Sequence, residues 1–387
     1  MLPNKSQGGE SEGMAEVPVN GKVLVWARTI RNLDIDKAAD ALNVTAEELR
    51  AYESGERKPL VGLLRKMSSA YRINFTSLLM PEPLPILKLP TDHRTRPDSR
   101  PLTIDTLVAI EEVTEALDIF GDIAAEDSRL IPPLRIGTAS LDEPAEDVAK
   151  RERARFGISI DDQRAWRSVG SARITWRKKI EDRGVFTYMI PMPNDELSGF
   201  SILREGSAAI CINDREPTEG AKIFTLFHEY CHLLLRQAGI SDQNDSGRVE
   251  RYCNEFAASF LIPKTALAES ISDVRLPYEF SDADVKRLAT RFRVSNRAIA
   301  LRLEKLNFAP QGFYFRRTGP WDIPGEVLPR AKDSQPDFIK IRLKRIGRLH
   351  AETVLQAVEN RAINSFDASE MIGVKYSSFG KLKAAIG

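Results

Sequence analysis

Apolar residues recur at three- and four-residue spacing along most of this 387-residue chain, and one short region in the middle switches to brief strand-like runs. The first eighty residues read as short helices over 23–30, 35–42, 46–53 and 60–71. Thr45 can N-cap the third of these, and Ser54-Gly55-Glu56-Arg57-Lys58-Pro59 closes it. The helical period returns over 104–120, 143–156 and 161–180, with Trp166 and Trp176 expected inside a core. Residues 184–190, 197–203 and 208–212, separated by Pro/Asn/Asp and Gly/Glu turns, predict three short strands. Helices resume over 223–235 and 249–262, the latter closed by Pro263. They continue over 282–292, over 296–306 with Ser295 as cap, and then over 346–359, 365–372 and 377–385. The expected class is α+β, mostly helical.

Proline and charge divide the chain. Residues 1–18 are polar and read as a flexible tail, 19–82 as a helix-turn-helix domain, and 83–103 as an extended proline-rich linker in which His93 is expected to be solvated. Residues 104–266 hold the strands and the central helices. Residues 267–310 form a second helix-turn-helix-like subdomain and 311–387 a helical C-terminal region, with 308–336 rich in Pro and Gly. Residues 367–374 weakly echo residues 38–44. The basic run Lys340-Ile341-Arg342-Leu343-Lys344-Arg345 reads as a solvated helix start, with nucleic-acid contact as the alternative.

The chemistry concentrates in Phe227-His228-Glu229-Tyr230-Cys231-His232. On a helix, positions i and i+4 share a face, so His228 and His232 can address one ion with Glu229 beside it. Two histidines and a glutamate in an apolar helix are costly to bury without partners, and a metal supplies them. A nearby carboxylate can take a proton from water acidified by the ion and deliver it to a leaving amine, which points to a metal-dependent peptidase. A third ligand is expected on the helix over 249–262. Glu250 and Asn254 share a face there, so Glu250 can ligate while Asn254 orients a histidine. Glu255, off that row, is the competing donor. For the oxyanion, Tyr252 and Tyr188 are both open, since spacing selects neither.

The runs Gly199-Phe200-Ser201, Ile210-Cys211-Ile212-Asn213, Phe224-Thr225-Leu226-Phe227-His228-Glu229-Tyr230-Cys231-His232 and Glu250 to Asn254-Glu255-Phe256-Ala257-Ala258, then Leu261-Ile262-Pro263, together resemble the ImmA/IrrE family of metallo-endopeptidases over roughly residues 150–310. The resemblance implies a zincin-like peptidase domain with a small sheet, one zinc ion on His228, His232 and Glu250, and Glu229 as general base. It also implies a protein substrate of the helix-turn-helix repressor or antitoxin kind. Lys222 departs from the arginine often found before Phe-Thr-Leu in that family. The alternative is a transcription regulator whose metal domain senses or scaffolds without proteolysis.

Residues 27–59 resemble the phage-repressor (XRE/Cro) helix-turn-helix family, through Ala38-Ala39-Asp40-Ala41-Leu42-Asn43-Val44 and Tyr52-Glu53-Ser54-Gly55. Between residues 21 and 80 there are ten Lys/Arg and seven Asp/Glu, a small surplus for phosphate contacts. Glu47 and Glu48 open the recognition helix and oppose them. Arg50, Arg57 and Lys58 are candidates for the DNA backbone and Thr45 or Arg50 for a base edge; pairing with another protein's helix-turn-helix is the other reading. The net charge of +1 excludes a whole-chain polyanion binder. Three cysteines, at 211, 231 and 253, lack C-x-x-C spacing and read as small core residues, with redox sensing at Cys231 as the minor alternative. No apolar run reaches membrane-spanning length and the start is no signal peptide, so no membrane partner and a cytoplasmic location are expected.

Overall fold

The computed structural model describes residues 16–84, 102–236, 246–317 and 337–386. Most of the expected tail, most of the linker with His93, the polar connection after residue 236 and the Pro/Gly-rich stretch 318–336 lie outside the described residues. Contacts divide the chain into two units, Met1–Leu89 with Asp98–Glu111, and Pro90–Pro97 with Glu112–Gly387. No described helix is long and apolar enough to cross a membrane.

The first unit is built from α1 (Gly21–Thr29), α2 (Ile35–Leu42), α3 (Ala46–Glu53) and α4 (Val61–Tyr71). Local chemistry sets the boundaries. Asp34 caps α2, and Asn43 ends it in the left-handed region (φ 56°). Thr45 and Glu48 then form a reciprocal capping box that starts α3. Leu24, Ala27, Ala38, Leu42, Leu49 and Leu64 close into one buried core. Arg28 and Glu53 pair across it at 2.7 Å.

The boundary between units falls within α5 (Ile104–Glu126). The second unit continues with α6 (Ala145–Phe156), α7 (Ile160–Ala165) and α8 (Val169–Glu181). The single helix expected over 161–180 is therefore two. Trp166 is extended (φ −61°, ψ 141°), and Ser168 with Ser171 forms a new capping box that opens α8. Trp176 is fully buried, whereas Trp166 is half-buried and meets it edge-on at 4.9 Å.

The strands are β1 (Val185–Ile190), β2 (Gly199–Arg204) and β3 (Ser207–Asn213). Their order is β1-β3-β2, with β3 parallel to β1 and antiparallel to β2. β1 and β3 are buried along their whole length, which is why they are mostly apolar rather than alternating. Behind the sheet come α9 (Glu219–Leu234), α10 (Ser246–Leu261), α11 (Lys264–Glu269), α12 (Asp282–Phe292), α13 (Asn296–Lys305) and α14 (Phe313–Arg317). α9 packs on β2 and β3 and against α10.

The chain ends in α15 (Phe338–Glu359), α16 (Ser365–Ile372) and α17 (Phe379–Ile386). α15 begins at Phe338, not 346, and packs against β1. The basic run 340–345 is thus more than a solvated helix start. Arg342 donates to the Ile372 carbonyl, Arg345 pairs with Glu112, and Lys344 pairs with Asp214 at 2.7 Å. A kink at Gly347 (φ 82°, ψ 162°) lets α15 approach the sheet. A Cβ there would stand 2.5 Å from Glu181 Oε1 and 2.6 Å from the Thr187 carbonyl oxygen. Arg177 fills the same corner, donating to Thr187 Oγ1 and to the Thr187 carbonyl oxygen at 2.6 Å each. Gly347→Ala should therefore combine backbone strain with a clash against main chain and destabilise the protein by about 3 kcal/mol or more, read from denaturant midpoints. A loss within the error of the measurement would contradict this packing.

Candidate metal centre

α9 is capped by Thr218, whose Oγ1 accepts from Ala221 N at 3.1 Å, and every residue from Thr225 to Leu234 is buried. A helix apolar on all sides belongs inside a domain, and this one carries two imidazoles and a carboxylate inward with it. His228 is 2% exposed, Glu229 3% and His232 6%. α10 lies alongside, and Phe227 stacks on Phe260 at 4.1 Å between ring centroids.

That packing brings Glu250 to the histidines. Its Oε2 stands 3.2 Å from His228 Nε2 and its Oε1 3.3 Å from His232 Nε2, while the two Nε2 atoms are 3.1 Å apart. A tetrahedral zinc ion at about 2.0–2.1 Å from each donor needs donors about 3.3 Å from one another. The triangle has the size and the donor chemistry such an ion requires. His228 Nδ1 stands 2.9 Å from Asn254 Oδ1, a contact that fixes the ring with Nε2 turned toward Glu250. Burial alone would raise the Glu250 carboxyl, but contacts with His228 and His232 hold it well below the usual carboxylate range. Glu255, the competing donor, is exposed on the outer side of α10.

Glu229 shares this cluster. The ligand atoms of His228, Glu229 and His232 lie within 4.8 Å of one another. Ser201 Oγ, on β2, donates to Glu229 Oε2 at 3.1 Å. The close approach of β2 depends on Gly199, where a Cβ would meet Thr225 Cγ2 at 2.6 Å and Glu229 Cγ at 3.4 Å. Ser201 is a contact that sequence reasoning did not assign, although its strand was in the run that carried the family resemblance. Only the pairing of β2 beside α9 reveals it.

Other expected residues lie elsewhere. Tyr188 is buried with its hydroxyl 2.9 Å from His350 Nδ1, beneath α15. Tyr252 sits two residues from Glu250, which turns it into the apolar core. The three cysteines are free and buried, and burial pushes the Cys211 and Cys253 thiols up, in keeping with core residues. Lys222 is buried with Nζ 3.0 Å from Asp214 Oδ1, away from the proton chemistry. In the first unit, Thr45, Arg50, Arg57 and Lys58 are all exposed. Thr45 is engaged in its capping box, and Arg57 leans on Glu48 at 3.4 Å and over the Tyr52 ring.

Residues 180–304 match the family described as the IrrE N-terminal-like domain, a peptidase family, and residues 24–78 match the helix-turn-helix family. The first match lies inside the 150–310 span of the sequence resemblance, and the second begins three residues before the repressor-like run. The search of curated proteins found no match. The chain thus carries an ImmA/IrrE-type peptidase domain and an XRE-type helix-turn-helix. Asn254→Ala, by freeing the His228 ring, should weaken zinc affinity by about 10- to 100-fold in competition with a chromophoric chelator. Glu255→Ala should leave it unchanged, and equal effects of the two would refute the assigned face of α10.

Proposed function

With a peptidase-family domain joined to a helix-turn-helix as the premise, we propose that this chain is a zinc-dependent endopeptidase coupled to transcription regulation, which hydrolyses a peptide bond in a repressor or antitoxin-like protein. The observation that carries the reading is the triangle of His228 Nε2, His232 Nε2 and a Glu250 carboxylate with Glu229 beside it. His228, His232 and Glu250 would hold one zinc ion, and Asn254 would fix the His228 ring. When bound, the ion supplies Lewis acidity toward water and the scissile carbonyl.

The remaining work falls to side chains of the chain itself. Glu229 takes a proton from the attacking water and returns it to the amide nitrogen as the C–N bond breaks. Ser201 Oγ–H holds one oxygen of that carboxylate, so the other can face the reacting water. β3 is central, so β2 offers an outer edge, and among the described residues no strand pairs with it. An extended substrate added along β2 would pass the strand that contacts Glu229, which suits a protein substrate with an unfolded or exposed segment. Proteolysis would lift a transcriptional block in the cytoplasm. The N-terminal module would direct the enzyme to a regulated locus, with Arg50, Arg57 and Lys58 on phosphates and Thr45 or Arg50 at a base edge.

The test pairs activity with metal content. Glu229→Gln should retain zinc by elemental analysis but cut a candidate repressor about 100- to 10,000-fold more slowly than wild type, followed by mass spectrometry of the fragments. If metal-replete wild type clears the repressor no faster than the variant, the domain senses or scaffolds and the hydrolase reading fails.

A further inference from the structure

One motif remains unused by this function. Residues 364–386 repeat the architecture of residues 34–56 under a constant shift of 330 residues (Ala38 falls on Ala368), except that a 3-10 turn, Tyr376–Ser378, stands where the first turn of α3 and its capping box would fall. Both units open on an Asx N-cap. Asp34 accepts from Lys37 N, and Asn364 accepts from Phe366 N and Asp367 N. Both first helices end on a left-handed residue, Asn43 at φ 56° and Gly373 at φ 71°, each followed by a valine. The buried positions coincide, Ala38 with Ala368, Leu42 with Ile372, Leu49 with Phe379 and Tyr52 with Leu382. The preceding helices stop at equivalent points as well, α1 at Thr29 and α15 at Glu359. α15 packs on both α16 and α17. This is a three-helix helix-turn-helix, with α17 in the place of the recognition helix.

What differs is the outward charge. On the outer side, residues 45–56 carry Glu47, Glu48 and Glu56 against Arg50, since Glu53 turns inward to Arg28. The equivalent residues 375–386 carry Lys375, Lys381 and Lys383 and no acid. Lys375, Tyr376, Ser377, Gly380 and Lys381 are all exposed, and Tyr376 is 58% exposed. Lys383 pairs with Glu359, but Lys375 and Lys381 have no ion pair among the described residues. The last turn of α17 also walls a cleft of about 470 Å³ with Lys178 of α8 and Lys340 of α15, so cationic surface continues past the helix. A third copy of the turn links α12 and α13 through Arg293 (φ 56°) and Val294. There the second helix buries Ala298, Ile299, Ala300, Arg302 and Leu303, and it cannot face a duplex.

We propose that residues 351–386 form a second helix-turn-helix that binds double-stranded DNA through α17 and the 3-10 turn that leads into it, with Lys375 and Lys381 on phosphates and Tyr376 and Ser377 at the groove. Phosphate contact needs positive charge on the presented face, and of the three copies only this one combines exposure with a surplus of cations there. The inference does not depend on proteolysis.

Fluorescence anisotropy of the full chain with a labelled mixed-sequence DNA duplex, titrated across salt concentrations, tests it. Lys375→Glu with Lys381→Glu should weaken binding by roughly tenfold or more and reduce the slope of log K against log salt by about two. The neutral pair Lys375→Gln with Lys381→Gln should lower the slope comparably, and circular dichroism melts should match wild type for both. Arg50→Glu with Lys58→Glu in the first unit should have the smaller effect. The proposal is overturned if the full chain shows no salt-dependent duplex binding, if single-stranded DNA competes equally, or if the α17 variants bind like wild type. A change in oligomeric mass by light scattering, with duplex binding intact, would overturn it by making this face a protein interface.

Discussion

The stack of Phe227 on Phe260 presses α9 against α10, and the rest of the candidate centre depends on that contact. Around it, Phe156, Trp176 and Tyr230 interlock edge to face and Phe256 lies tilted against Tyr230, so the two helices meet through a rigid aromatic core. An aromatic pair contributes about 0.5–1.5 kcal/mol beyond its buried area, and several in one cluster fix the register of the helices as well as hold them together. Register is what a metal site needs. A slide of one residue along α10 would turn Glu250 and Asn254 by about 100° and take the carboxylate from the imidazoles.

Burying two imidazoles and two carboxylates in such a core is unfavourable unless each finds a partner. The chain answers with a closed set of contacts: His228 to Asn254 and Glu250, His232 to Glu250, and Glu229 to Ser201. Glu250 is held ionised against its burial by the imidazoles, the electrostatic state a divalent cation also demands. The sheet joins this arrangement at one place, where Gly199 lets β2 lie against Glu229. The outer strand of the sheet and the Glu229 carboxylate thereby share one strand-helix contact.

The same local device recurs three times, a helix closed by a left-handed residue, a valine and a second helix. In the first unit it carries an acidic outer face, at α12–α13 it is packed into the peptidase core, and at the C-terminus it is basic and exposed. Identical backbone chemistry serves different ends because the core positions define the turn while the outward positions are free to vary. The C-terminal copy is also tied to the sheet. α15 supplies its first helix and, kinked at Gly347, packs on β1, where Arg177 of α8 donates both to Thr187 and to the Lys344 carbonyl.

The elements and half of the site were legible in the order of residues alone. Periodicity and caps located nearly every helix and all three strands, because capping and side-chain direction are properties of neighbouring residues. The i,i+4 spacing put His228 and His232 on one face for the same reason, and it paired Glu250 with Asn254. Tertiary structure decided which acid of α10 meets the imidazoles, that Ser201 holds Glu229, that Tyr188 belongs to His350, and that residues 338–345 are helix lying on the sheet side of the domain. Those outcomes join residues 18 to 167 positions apart, or depend on a burial that only packing creates, as when the Ser168 capping box divides the expected helix over 161–180. Local pattern carries no information about the distance between two helices; close packing of their side chains sets it.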